Sequence, residues 1–502
     1  MNAYRLQSKF KSDNTLSVYN IHPMKEELFR KKINHSLKSG GRLLSFFVLP
    51  ETGNRVGFYA ILANDRKKSI YIFSFRTNNN NYKSFTVQFP QFHLFEREIY
   101  EQTGILPIGH PWLKSVRFPE ESIFQKLGKS IGDIEFFPVH GENIHQVAVG
   151  PVHAGIIEPG HFRFQCHGEI VQHLEISLGY QHRGIEKNMI GGPHKNTRYQ
   201  IEVVAGDSTI ANTIAYCEIM EKLTRTVIPE YAEKIRAIAL ELERCANHIG
   251  DLGAMAGDIG YLPTMSYCGR IRGDFLNMSA LMCGNRFGRS LVCPGGVQYG
   301  FDKARVDELQ EKVAGGKADF LSAVSLLWDS SSVLARFEET GIVSLENARS
   351  IGMVGCAARA SGIAADSRID HPSGIYKKLK VNSPVSESGD VFARARIRWH
   401  EVKESINIIE QLLADLEQGE LASEVKNGLS PEQMAVSLVE GWRGEVCHIA
   451  ITDKNGKFKK YKIVDPSFHN WFGLALAMRG EQISDFPICN KSFSLSYCGF
   501  DL

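Results

Sequence analysis

Between Pro229 and Leu252 the apolar side chains fall at Ile235, Ile238, Leu242, Cys245, Ile249 and Leu252, with spacings of 3, 4, 3, 4 and 3. Such positions share one face only on a helix, and a face this long needs a second surface to cover it. Pro229 stands at the start, where a missing N–H costs nothing. A second stripe runs through Val402, Ile406, Ile409, Leu413 and Leu416 within residues 389–417. Val203 to Leu223 and Asp302 to Trp328 read as two more helices. The pattern predicts a bundle of long helices beyond about residue 149. Strand-like pieces, Glu445 to Thr452 and Phe458 to Val464, return near the end.

The first part of the chain has a different rhythm. Apolar runs at Leu43 to Val48, Val56 to Leu62, Ile70 to Phe75 and Phe85 to Phe89 are separated by turn-forming residues, including Asn64-Asp65 and the asparagines of 78–81. This predicts an antiparallel meander, followed by a short amphipathic helix within Phe92 to Leu113. Residues 119–148 lack helical periodicity and read as a linker. The expected fold class is α+β, with a small N-terminal α+β domain (1–118), the linker, and a mostly helical domain (149–502).

Composition removes several function classes. A net charge of +2 with no dense Lys/Arg run gives no reason to expect nucleic acid. No segment approaches the roughly 20 apolar residues that span a bilayer, and the N-terminus has no apolar stretch of the kind a signal peptide needs, so membrane attachment is expected through a partner. The ten cysteines include no Cys-x-x-Cys. Without a secretion signal they read as reduced, mostly buried thiols, and no iron-sulfur cluster is expected on this chain.

Several segments carry a more specific message. Gly150 to Phe164 (GPVHAGIIEPGHFRF) is a Gly/Pro-rich loop with two histidines, followed by GYQHRGIEKNM up to Met189. ELERCANHIGDLGAMAGDIG (Glu241 to Gly260), AARASGIAADSRID (Ala357 to Asp370), GDVFARARIRWHEVKESINII (Gly389 to Ile409) and WRGEV (Trp442 to Val446) follow, and FEREIYEQTGILPIGHP (Phe95 to Pro111) precedes them. In this order they resemble the fused C/D subunit of respiratory complex I (NADH:quinone oxidoreductase) and the large subunit of energy-converting nickel-iron hydrogenases, of the formate hydrogenlyase and hydrogenase-4 type. The resemblance covers most of residues 40–502 and implies a hydrogenase-large-subunit-like fold for the second domain.

Those hydrogenases hold their metals with four thiolates, two near the start of the domain and two just before the C-terminus. Aligned without gaps, SFSLSYCGFDL (Ser492 to Leu502) places Ser496 and Gly499 at the late pair, and EVVAGDST places Ala205 and Ser208 at the early pair. Cys498 lies one residue out of register. Soft metals such as nickel require thiolate donors, so no metal is expected on this chain and hydrogen activation is not expected of it.

For complex I, the resemblance implies a quinone headgroup site made of a Tyr, a His and a supporting Asp. The Tyr position is Gly206, whereas His153 and Asp258 match the other two. A His-carboxylate pair tunes an imidazole into a proton shuttle; the alternative is a hydrogen-bonded pair inherited with the fold. Arg244 with His248, and Arg359 with Asp366 and Arg368, read as inward polar groups and a buried salt-bridge network. CPGGVQYG (Cys293 to Gly300) lacks the context of a nucleotide loop.

The resemblance further implies partners: an iron-sulfur small subunit, a ferredoxin-like subunit and membrane subunits, with this chain cytoplasmic and peripheral on the inner face of the cell membrane. Two functions stay open. One is an oxidoreductase subunit passing electrons from a partner's iron-sulfur cluster to quinone or a similar acceptor near His153. The other is a non-catalytic scaffold or conformational coupler. An open pocket at the vacated metal position favours the first, and side chains filling it favour the second.

Overall fold

The computed structural model describes residues 8–10, 14–51, 53, 55–155 and 157–502. Strands β1 (Ser8–Phe10), β2 (Thr15–Ser17), β3 (Gly41–Pro50), β4 (Val56–Asn64) and β5 (Ser69–Thr77) accompany helices α1 (Glu26–Lys38) and α2 (His93–Thr103) in the N-terminal part. β3, β4 and β5 form the predicted meander, and β1 adds to its edge in the order β1-β5-β4-β3, every pairing antiparallel. α1 lays Phe29 and Ile33 against the sheet. There Phe29, Phe46, Phe58, Phe75, Phe85 and Phe92 pack as tilted, edge-on and stacked rings.

The expected fourth strand, Phe85 to Phe89, is a turn. Its backbone is claimed by buried Glu96 of α2, whose carboxylate accepts the N–H groups of Phe85 (2.9 Å) and Thr86 (3.1 Å) and the hydroxyls of Ser84 and Thr86 (2.6 Å each). A side-chain acceptor has replaced a strand partner. Within the stretch read as a linker lie the short helix Ile123–Lys126 and the strand Ile144–Val149, the latter pairing with His161–His167, which in turn pairs with Ile170–Ser177.

Beyond it the long helices appear: Thr209–Thr224, Glu230–Asp258, Leu262–Cys283, Lys303–Trp328 and Val391–Ala414. Glu230–Asp258 buries Ile235, Ile238, Leu242, Cys245, Ile249 and Leu252, the predicted stripe, each 0% exposed. It also packs closely on Leu262–Cys283. A Cβ at Gly253 would lie 2.7 Å from Cys268 Cβ, so the absence of a side chain sets the helix separation. Pro229 is the N-cap.

A second four-stranded sheet, in the order Phe458–Val464, Glu445–Thr452, Gln433–Glu440, β2, closes the domain. β2 comes from the extreme N-terminal part, and with β1 in the other sheet it stitches the two units together.

Candidate functional site

The C-terminal segment is sewn to the middle of the chain by hydrogen bonds from both backbone and side chains. Asp501 accepts the N–H groups of Gly179 (2.7 Å) and Gln181 (2.8 Å), and the Leu502 carbonyl accepts those of Arg183 (2.8 Å) and Gly184 (3.1 Å). Arg183 donates from its guanidinium to the carbonyls of Val203 (2.5 Å), Val204 (3.0 Å) and Cys498 (2.7 Å). One side chain thus holds the segment bearing Ala205 and Ser208 beside the segment bearing Ser496 and Gly499.

Between these two segments lies Arg443, in the turn joining strands Gln433–Glu440 and Glu445–Thr452. Its Nη1 and Nη2 donate to Asp207 Oδ1 and Oδ2 at 2.6 and 2.7 Å, Nη1 also lies 3.3 Å from Ser208 Oγ, and Nε donates to the Ser494 carbonyl at 2.5 Å. This is the two-pronged geometry that guanidinium and carboxylate favour. Burial alone would raise the pKa of Asp207, but the Arg443 charge and its hydrogen bonds prevail and hold it below the ordinary value. Trp442 Nε1 and Asn247 Nδ2 fix the loop by donating to the Asp207 carbonyl, both at 2.9 Å.

Asp465 completes the arrangement. It caps helix Pro466–Ala477 by accepting the Ser467 N–H at 2.8 Å. It is buried, and that burial pushes its carboxyl pKa up while Arg443 pulls it down. A Cβ built on Gly499 would stand 2.6 Å from Asp465 Oδ2 and 2.9 Å from Ser496 Oγ. Nor is Ser496 free to act as a ligand. Its Oγ accepts the Gly499 N–H at 2.9 Å, and its own N–H donates to Ser467 Oγ at 2.8 Å.

The four positions therefore offer a methyl group, two hydroxyls already engaged, and a glycine whose side-chain space is taken. These residues do not fit a nickel-iron centre, which needs thiolates. Cys498 does not substitute. Burial pushes its thiol up to about 12, with Glu158 adding to the shift, so it stays protonated. Among the described residues no group of three or more His, Cys, Asp or Glu side chains is placed to hold a metal ion.

His153 and Asp258 are placed separately. The His153 ring lies half-buried with Nε2 2.9 Å from the Gly160 carbonyl and packs against Phe162. Asp258 is the last residue of its helix, exposed at the surface. Partial desolvation raises its carboxyl pKa and Lys491 opposes the shift. Among the described residues no hydrogen bond or ion pair joins the two. Gly206 is open: a Cβ there would meet nothing within 4 Å.

The predicted buried network is present and larger than expected. Arg244 Nε donates to Glu241 (3.1 Å), and His248 Nε2 meets Glu401 (2.8 Å). Arg359 reaches Glu401 (2.6 Å) and Glu440 (2.8 Å), while Arg368 reaches Glu241 (3.1 Å) and Asp366 (2.8 Å). Arg244, His248 and Arg359 are all 0% exposed. Sequence reasoning misses Asp207 and Asp465 as parts of the site. Asp465-Pro466 is a helix-start signal, but nothing local tells that Asp465 Oδ2 fills the space at residue 499.

Comparison with known proteins gives a consistent picture. The family described as respiratory-chain NADH dehydrogenase, 49 Kd subunit, matches residues 258–436, and that described as the 30 Kd subunit matches residues 42–129. The D subunit of the NADH-quinone oxidoreductase of Clostridium beijerinckii is 31% identical over 329 residues, 64% of this chain and 87% of the relative. The carbon monoxide-induced hydrogenase of Rhodospirillum rubrum is 29% identical over 359 residues, 69% of this chain and 96% of the relative. Formate hydrogenlyase subunit 5 of Escherichia coli K12 is 28% identical over 439 residues, 84% of this chain and 77% of the relative.

Proposed function

This chain belongs to the family of the 30 and 49 Kd subunits of respiratory-chain NADH dehydrogenase and their hydrogenase relatives, and on that premise we propose that it is a peripheral scaffold and conformational-coupling subunit of a membrane-associated oxidoreductase complex, without a nickel-iron centre of its own. The observation that carries this reading is the filling of the vacated metal position. Arg443 and Asp207 close one side with a two-pronged ion pair, and Asp465 takes the space beside Gly499. A position occupied by paired charges favours a structural role over an electron acceptor at that point.

No helix among the described residues is long and apolar enough to cross a membrane. Attachment then comes from partners: a small iron-sulfur subunit, a ferredoxin-like subunit and membrane subunits, with this chain on the cytoplasmic face. Electrons are carried by clusters on those partners. A second reading retains the passage of electrons to quinone beside His153 and Asp258. It is favoured by the open space at Gly206, the position of the quinone-site tyrosine in the family.

Purification of the intact complex from its native membrane, with metal analysis, subunit identification and a quinone-reduction assay, separates these readings. Iron in cluster amounts, no nickel, and quinone reduction insensitive to His153→Ala support the scaffold. Stoichiometric nickel overturns both readings, and loss of quinone reduction in His153→Ala with the complex still assembled favours the second.

A further inference from the structure

A cavity of about 880 Å³ opens beside half-buried Thr226 and exposed Val227, which follow helix Thr209–Thr224, and runs inward between β2 and helix Glu230–Asp258. Its inner wall includes Ser367, Arg368, His371, Tyr376 and Glu440, the same groups that form the buried network. His371 is 2% exposed; its Nε2 meets Asp65 at 3.1 Å, while Nδ1 is buried without a partner. An unpartnered imidazole nitrogen on a cavity of this size, into which charged side chains also project, marks a place for water.

The network itself is short of positive charge. The carboxylates of Asp65, Glu241, Asp366, Glu401, Glu440 and Glu445 face the guanidiniums of Arg42, Arg244, Arg359 and Arg368. Six anions against four cations leave two negative charges over, and a charged His371 would cancel only one of them. His248 does not add a charge, because burial lowers its pKa. Two of the six carboxylates therefore rely on hydrogen-bond donors or on water rather than on a cation of their own.

We infer that the cavity is a water-filled proton inlet and that Glu440, at its inner end, is the acid that exchanges a proton there. In the uptake step the Glu440 carboxylate takes H⁺ from a hydronium ion in the cavity, leaving water and a neutral carboxyl group; release is the reverse. Glu440 is the only one of the six carboxylates that both lines the cavity and belongs to the network. The groups around it are Arg359 from helix Gly355–Ala360, the Ser367 N–H with Asp366 and Arg368 from the segment after it, Arg244 from helix Glu230–Asp258, and Glu445 across the strand pair. Burial and the neighbouring Asp366 raise its pKa, in keeping with this role.

The proton is felt across the domain boundary. Ser367 donates its N–H to Glu440 (3.0 Å) and its hydroxyl to Glu445 (2.5 Å); Glu445 binds Arg42 (2.5 Å), and Arg42 binds Asp65 (2.9 Å), which meets His371. The ring returns to the cavity through the N-terminal sheet.

Infrared spectroscopy of the full chain tests it. A protonated-carboxyl stretch that titrates near neutral pH is expected in the wild type, absent from Glu440→Gln and shifted in Glu440→Asp, which covers the case in which the Gln variant does not fold. Thr226→Trp, narrowing the mouth, is expected to slow the deuterium shift of that band. Absence of the band from the wild type, its persistence in Glu440→Gln, or its unchanged frequency in Glu440→Asp overturns Glu440 as the acid. Unaltered deuterium exchange in Thr226→Trp overturns the cavity as its route.

Discussion

Arg443 clasps Asp207 with both guanidinium nitrogens, at 2.6 and 2.7 Å, across 236 residues of sequence. The pair ties the turn between two strands to the start of helix Thr209–Thr224, next to Ser208. The positive charge of the guanidinium holds the two flanking carboxyl groups, Asp207 and Asp465, together.

Removing that cation leaves both acids without it. Arg443→Ala is expected to lower stability by about 2–3 kcal/mol, less than the ~3–5 kcal/mol of a fully buried pair because water reaches Asp207. Asp207→Asn, which keeps a hydrogen-bond acceptor, is expected to cost less. Urea denaturation of both variants measures the difference, and equal costs would argue against the charge as the cause.

Gly499→Cys is expected to destabilise the fold by about 1–3 kcal/mol, since its Cβ cannot sit 2.6 Å from Asp465 Oδ2 without displacement. The double variant Gly499→Cys with Asp465→Ala is expected to recover part of that loss, a non-additive result for residues in contact. Thermal unfolding of the four forms checks the coupling; strict additivity would mean that Asp465 does not fill the space.

Gly206→Tyr is expected to fold with stability within about 1 kcal/mol of the wild type, because an added Cβ meets nothing within 4 Å. Quinone-analogue binding to this variant then reports whether the headgroup space survives. A large loss of stability would show that the site is closed there as well.

Stability is expected to peak at about pH 5 and fall on both sides. Burial, with Asp366, pushes Glu440 up to about 7, so its contribution is complete in acid and is lost as pH rises through that value. Glu98 and Glu241 behave in the opposite sense. Burial pushes them up, but Lys462 and Arg117 on one, and Arg368 and Arg244 on the other, bring both down to about 2, so their contribution is lost as pH falls towards it. Urea midpoints across pH check the profile, and in Glu440→Gln the alkaline limb is expected to flatten. A slope above pH 6 unchanged by that substitution would remove Glu440 from the account.

Periodicity and residue identity alone placed the long helices, three of the four expected meander strands and the lack of cysteine at the four positions. Each of these is a local property, either a periodicity of 3.6 or 2 or the identity of a residue at a motif position. The stripe from Ile235 to Leu252 was readable because every turn of a helix repeats the same demand for burial. The rest depends on contacts between segments far apart in the chain. Phe85 to Phe89 has a strand's composition, yet it turns because Glu96, on the following helix, supplies better acceptors than a neighbouring strand would. Likewise Asp207, Arg443, Asp465 and Gly499 are unremarkable apart. They meet because hydrogen bonds from Arg183 and the strand turn at Arg443 fold distant segments together. Whether a vacated position is empty or filled depends on side chains arriving from elsewhere in the chain, and no local pattern records their arrival.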